Sequence, residues 1–177
     1  MRKFFCAAFA VLSLSATAAQ AGFFPEVVSQ LDLSSFSGKW YQVASTNPFF
    51  QANCVCVTAT YTPKDDGSVS VANSCRKNTI DGELSNVVGT AYATKTPAKL
   101  NVVFGGPKLP FSNYWIVDLA NDYSYAVIST PLYTPIWVLS RTPSLPVETL
   151  AGIYSRLKSK GFLTWTIAPT LQDGCNN

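Results

Sequence analysis

Much of this chain is a run of short strand candidates, each joined to the next by a few turn-forming residues and no two of them separated by a helical stretch. Residues 40–45, 54–62, 68–75, 86–94, 99–104, 113–119, 123–129 and 135–140 are rich in β-branched and aromatic side chains, the composition that suits a pleated, half-buried surface. Between them stand Pro63-Lys64-Asp65-Asp66-Gly67, residues 78–82 and Gly105-Gly106-Pro107, and Val69 and Val71 show the period-two alternation of a strand. Parallel neighbours need a crossover of a dozen or more residues, usually a helix, so strands this closely joined form an antiparallel meander. Eight such strands that curl into a barrel lose both exposed edges and leave room for one small ligand, the alternative closure being a two-layer sandwich.

At 177 residues the chain suits one domain with a real core. Its 47% apolar and 13% charged composition excludes disorder, and the 11 Phe, 8 Tyr and 4 Trp favour an aromatic-lined interior. The net charge is +3, part of it from Arg2 and Lys3, and no basic patch points to a nucleic-acid partner. There is no histidine, which excludes His-ligated zinc or haem and any triad built on an imidazole base. No metal or cofactor is expected.

Residues 1–21 read as a secretory signal peptide: basic Arg2 and Lys3, an apolar run from Phe4 to Leu14, and Ala19-Gln20-Ala21 as the small-x-small cleavage site. Residues 22–177 are then the mature domain, secreted to an extracellular or periplasmic space, and no later stretch is long and apolar enough to span a bilayer. Without Cys6 of the leader, Cys54, Cys56, Cys75 and Cys175 remain. An even number in an exported chain implies two disulfides. Cys54 and Cys56, one residue apart on a strand, share a face and bond elsewhere, one to Cys75 and the other to Cys175.

Gly38 and Trp40 open the first strand, the glycine permitting close approach or an unusual φ just before a large indole. Ahead of them residues 23–36 are irregular, with one helical turn. After the last strand, Ser144 as N-cap, the spacing of Leu150, Ile153, Tyr154 and Leu157, cations at Arg156, Lys158 and Lys160, and a terminating Gly161 predict one helix packed outside the sheet. Residues 163–167 are expected to add a short strand.

These stretches together resemble a family. Gly38-x-Trp40-Tyr41 before an eight-strand meander, Trp137-Val138-Leu139-Ser140-Arg141-Thr142-Pro143 after it, and the helix beyond look like a lipocalin. Thr58-Ala59-Thr60-Tyr61, Asp65-Asp66-Gly67, Pro97-Ala98-Lys99-Leu100 and Leu145-Pro146-x-Glu148-Thr149 are similar to the apolipoprotein D and bacterial lipocalin branch. The family's Thr-Asp-Tyr motif is represented only by Asn121-Asp122-Tyr123, and the cysteine that lipid-anchors many bacterial members is missing from the cleavage site. The resemblance implies an all-β, eight-stranded antiparallel up-and-down barrel with one C-terminal α-helix outside. It implies that Gly38, Trp40 and Arg141 meet at the closed end, with the guanidinium over the indole. It also favours Cys56–Cys175, leaving Cys54–Cys75.

With Cys56 pointing outward to the tail, alternation turns Val57, Ala59 and Tyr61 inward, then Val69, Val71 and Asn73, Leu100, Val102 and Phe104, Tyr114 and Ile116, and Trp137 and Leu139. The resemblance singles out Tyr61, Asn73, Phe104, Tyr114 and Trp137 as facing the ligand. Asp118 falls on the same inward count, either orienting a ligand or doing proton chemistry, or as a hydrogen-bonded carboxylate at the closed end. Phe49 and Phe50 on the first loop form a lip at the mouth, touch a membrane transiently, or cover the barrel's end. The expected function is binding, transport or sequestration of a small hydrophobic molecule (fatty acid, lysophospholipid, sterol, retinoid or carotenoid-like) by a monomer or weak dimer rather than catalysis. The alternatives are an isomerase or de-epoxidase on the same barrel, and a subunit of a pigment or protein complex.

Overall fold

The structure is a computed structural model and describes residues 22–176. Residues 1–21, read from the sequence as a signal peptide, lie outside the described residues.

A one-turn helix, α1 (Leu33–Phe36), precedes eight strands: β1 (Gly38–Ser45), β2 (Cys54–Pro63), β3 (Val69–Lys77), β4 (Leu84–Tyr92), β5 (Lys99–Val103), β6 (Tyr114–Leu119), β7 (Tyr125–Ser129) and β8 (Trp137–Ser140). A helix, α2 (Val147–Ser159), and a two-residue strand, β9 (Ala168–Pro169), follow. From β1 to β8 each strand pairs antiparallel with the next, and β1 pairs with both β2 and β8, so the meander closes on itself as a barrel. Past Tyr41, β2 parts from β1, and β9 takes that edge beside Ala44 and Ser45.

Two apolar clusters sit on the two sides of the barrel wall. Phe36, Trp40, Val69, Val71, Leu100, Ile116, Ile128 and Leu139 fill the inside. Ala44, Trp115, Val117, Val127 and Val138 face outward and bury Ile153 and Leu157 of α2. Neighbouring residues alternate between the clusters because strand side chains point to opposite faces.

Local chemistry departs from the sequence expectation at three elements. Helix α2 begins after Pro146, which caps it without a side-chain bond, rather than at Ser144; Leu145-Pro146 fixes an extended approach, since the residue before a proline avoids the helical region. Gly161, with φ of 90°, lies one residue past the C-cap Lys160, as a left-handed terminator should. The tail forms a 3₁₀ turn at Thr164–Thr166 instead of a strand, and the strand comes later, at β9. Strand β7 starts at Tyr125 because Asp122 accepts the Ser124 N–H at 3.0 Å and Tyr123 turns to φ of 58°.

Candidate functional site

The closed end is built from the N-terminal segment. Asp32 caps α1, accepting from the Ser34 N–H at 2.9 Å and from the Ser34 and Ser35 hydroxyls at 2.7 Å each. These bonds hold the Asp32 carboxyl down at about 2. The turn thus fixed delivers Phe36 beneath the barrel, where its carbonyl accepts the Trp40 indole N–H at 2.8 Å and the two rings lie 5.1 Å apart. Arg141 covers the other face of the plug, its guanidinium carbon 3.7 Å from the centre of the Trp40 ring. It donates to the Lys39 carbonyl at 2.9 Å and the Ser35 carbonyl at 2.7 Å. Gly38 adopts φ of 93° in front of this guanidinium, the left-handed region that favours glycine.

Above the plug lies a cavity of about 700 Å³. Val57, Ala59, Tyr61, Val71, Asn73, Val102, Phe104, Tyr114, Trp137 and Leu139 are on its wall. Three other residues counted inward, Val69, Leu100 and Ile116, point in as expected but lie within the packed inner cluster and do not reach the open space. At the floor the Tyr61 and Tyr114 hydroxyls are 2.6 Å apart, and Phe36 stands edge-on to Tyr61 at 5.1 Å. Burial pushes the Tyr61 phenol up to about 12 and Tyr114 well above its ordinary value, so both are neutral. Gly89 lets Phe104 lie across the wall: a Cβ there would meet the Val103 carbonyl at 2.5 Å and the Phe104 ring at 2.7 Å.

The mouth is organised by residues that the strand pattern did not single out. Gln51 accepts the Trp137 indole N–H at 3.0 Å and donates to Gln42 at 2.6 Å, and Gln42 in turn donates to Thr170 at 2.8 Å. This chain of amides ties the first loop to β8, β1 and the tail, and brings Phe50 to the cavity rim, 6.5 Å from Trp137. Phe49, 90% exposed, points away into solvent, so only Phe50 serves as a lip. Gln42 and Gln51 carry no motif; their only sequence signal is an amide within or just before a strand.

Two expectations are corrected by bulges. Cys54 and Cys56 do not share a face. Cys56 takes φ of 54° where the β2–β3 register shifts, so Cys54 bonds Cys75 at the cavity wall while Cys56 bonds Cys175 of the tail. The extra residue also brings Thr58, counted outward, to the wall beside Val57. Asp118 does not point inward either. The β6–β7 register shifts between Ile116 and Asp118, which places Val117 and Asp118 in succession on the outer face. There Arg156 of α2 donates to the Asp118 carboxylate at 3.0 Å and to the Tyr125 hydroxyl at 2.7 Å. The carboxylate fastens the helix to the barrel.

The comparisons with known proteins agree with this geometry. A family model described as a lipocalin-like domain matches residues 31–172. The outer membrane lipoprotein Blc of Vibrio cholerae is 35% identical over 140 residues, spanning 77% of this chain and 80% of that protein. Apolipoprotein D of Mus musculus is 31% identical over 161 residues, spanning 85% and 82%. Among solved structures, the cockroach major allergen Per a 4 superposes with a TM-score of 0.65 at 18% identity, covering 88% of this chain and 96% of that one.

Proposed function

The chain belongs to the lipocalin-like family, and from that premise we propose that it binds a small hydrophobic molecule in the barrel and carries or sequesters it outside the cytoplasm. The observation that carries this reading is the cavity of about 700 Å³, open at the mouth, stoppered by Trp40 and walled largely by apolar and aromatic side chains. Such a site takes an apolar guest because each square ångström of guest surface removed from water contributes about 25 cal/mol. Val57, Val71, Val102, Phe104, Trp137 and Leu139 form the greasy wall; Asn73, Tyr61 and Tyr114 are its polar points.

Binding is favoured over catalysis by what has become of the candidate reactive groups. All four cysteines among the described residues are in disulfides, and Asp118 is paired with Arg156 outside the barrel. Two disulfides suit an oxidising compartment. Phe49 and Phe50 sit on a loop, residues 46–53, that carries no charged side chain, which supports transient contact with a membrane during loading.

The test is titration with an apolar fluorescent probe. Trp137→Ala removes the largest wall residue and the amide anchor of the mouth, and is expected to weaken probe binding by about tenfold or more. Equal binding by both forms would overturn the calyx as the site. Native mass spectrometry of the exported protein identifies the natural guest.

A further inference from the structure

The floor of the cavity carries information about which end of the guest arrives first. Two hydroxyls, Tyr61 and Tyr114, face each other at 2.6 Å. They bring two protons, and their mutual bond uses one. Among the described residues neither hydroxyl has a further partner. The second proton is therefore left without a protein acceptor at a point where the open direction is the cavity. A buried donor left unmade is costly, so a guest that supplies the acceptor is favoured over one that does not.

We propose that the Tyr61–Tyr114 pair selects a guest whose leading end carries a neutral oxygen, a ketone, aldehyde or hydroxyl on an otherwise apolar body, bound oxygen-first against the closed end. This rests on the carrier reading above and narrows it. The floor suits a neutral acceptor and not a carboxylate. Burial keeps both phenols protonated, and among the described residues the sole charged one on the cavity wall is Lys77, at the mouth end of β3 with its ammonium 3.5 Å from the Cys54 sulfur. A carboxylate pushed to the floor would lie in an apolar surround without a counter-ion. An amphiphile with an anionic end has to leave that end near Lys77, and its apolar end then meets the idle phenol.

The experiment uses the exported, disulfide-bonded protein and displacement of a bound apolar fluorescent probe. The competitors are a long-chain methyl ketone, the hydrocarbon of equal length and the carboxylate of equal length. Wild type is expected to take the ketone about tenfold more tightly than the hydrocarbon, the worth of one hydrogen bond to an otherwise unpaired buried donor. Tyr61→Phe combined with Tyr114→Phe is expected to lose the preference for the ketone over the hydrocarbon, and a far-UV circular dichroism spectrum matching that of wild type reports that the barrel is intact. Both positions are changed together because either single variant leaves one phenol free to donate. Probe binding without a ketone preference in wild type, a preference that survives in the double variant, or the carboxylate winning outright would each overturn the inference and leave the carrier reading standing. Failure of wild type to bind the probe at all would remove both.

Discussion

Arg141 shows how much one side chain holds at the closed end. It stacks on Trp40 and donates to two backbone carbonyls belonging to α1 and β1, so it joins the N-terminal plug to the barrel. Removing it in Arg141→Ala forfeits a cation–π contact of about 0.5–2 kcal/mol and leaves two carbonyls unpaired. Urea unfolding is expected to register a loss of about 2–4 kcal/mol. Tyr61 makes a prediction of opposite kind, in pH. Its folded value is raised to about 12 by burial, so the folded state holds the proton more tightly than the unfolded chain does. The contribution is intact below pH of about 10 and disappears as pH climbs toward 12, amounting to about 2–3 kcal/mol. Unfolding free energy measured across that window should fall, and fall less in Tyr61→Phe. Both residues stood out in the sequence, Arg141 through its motif and Tyr61 through alternation. Tyr114 lay on the same inward count; what the sequence did not record is that its hydroxyl meets that of Tyr61, or that the Ser35 carbonyl receives Arg141, because each partner comes from a segment distant in the chain.

Among the seams of the eight-stranded barrel, the one between β5 and β6 is the thinnest. The ladder pairs only Lys99 with Trp115 and Leu100 with Tyr114. Beyond it the Asn113 side chain accepts from the Val102 N–H at 2.8 Å and donates to its carbonyl at 2.9 Å, standing in for the missing rung. Buried Asn101 binds the Leu109 and Phe111 carbonyls at 2.7 and 2.6 Å, and so folds the long connecting loop back against the wall. Asn113→Ala is expected to cost about 1–3 kcal/mol and to speed hydrogen exchange at Val102, with little change at β2–β3. The strand positions were readable from period-two patterning. The shortness of this seam was not, since an asparagine side chain that completes a ladder looks, in sequence, like any loop asparagine. The two bulges were hidden for a similar reason: Cys56 and Val117 are ordinary strand residues, and only the fit to the neighbouring strand puts the extra residue there.

For the whole molecule, the Cys56–Cys175 disulfide spans 119 residues and pins the tail across β1 and β2, where Gln172 donates to the Gln42 and Val57 carbonyls at 2.9 and 2.8 Å. Closing a loop this long restricts the unfolded chain by about 5 kcal/mol on the chain-entropy estimate. Cys175→Ser should therefore lower stability far more than any surface change, read as a drop in the denaturation midpoint under non-reducing conditions. Helix α2 adds a second clamp through Ile153, Leu157 and the Arg156–Asp118 pair, leaving the inside of the barrel free to stay open.

Antiparallel and consecutive strands, a helix packed outside, four paired cysteines and thirteen side chains counted inward were all legible in the sequence. Those follow from local rules: turn chemistry, period two, helical spacing, and the distance a disulfide can span. Tertiary packing set where the hollow stops, so that ten of the thirteen reach it, and it also paired Asp118 with Arg156 of the helix, turned Cys54 to the cavity and Cys56 to the tail, and brought two phenols together at the floor. Each of these depends on register between strands far apart in the chain. A one-residue shift in register turns a side chain to the other face, and nothing in the strand's own sequence records it.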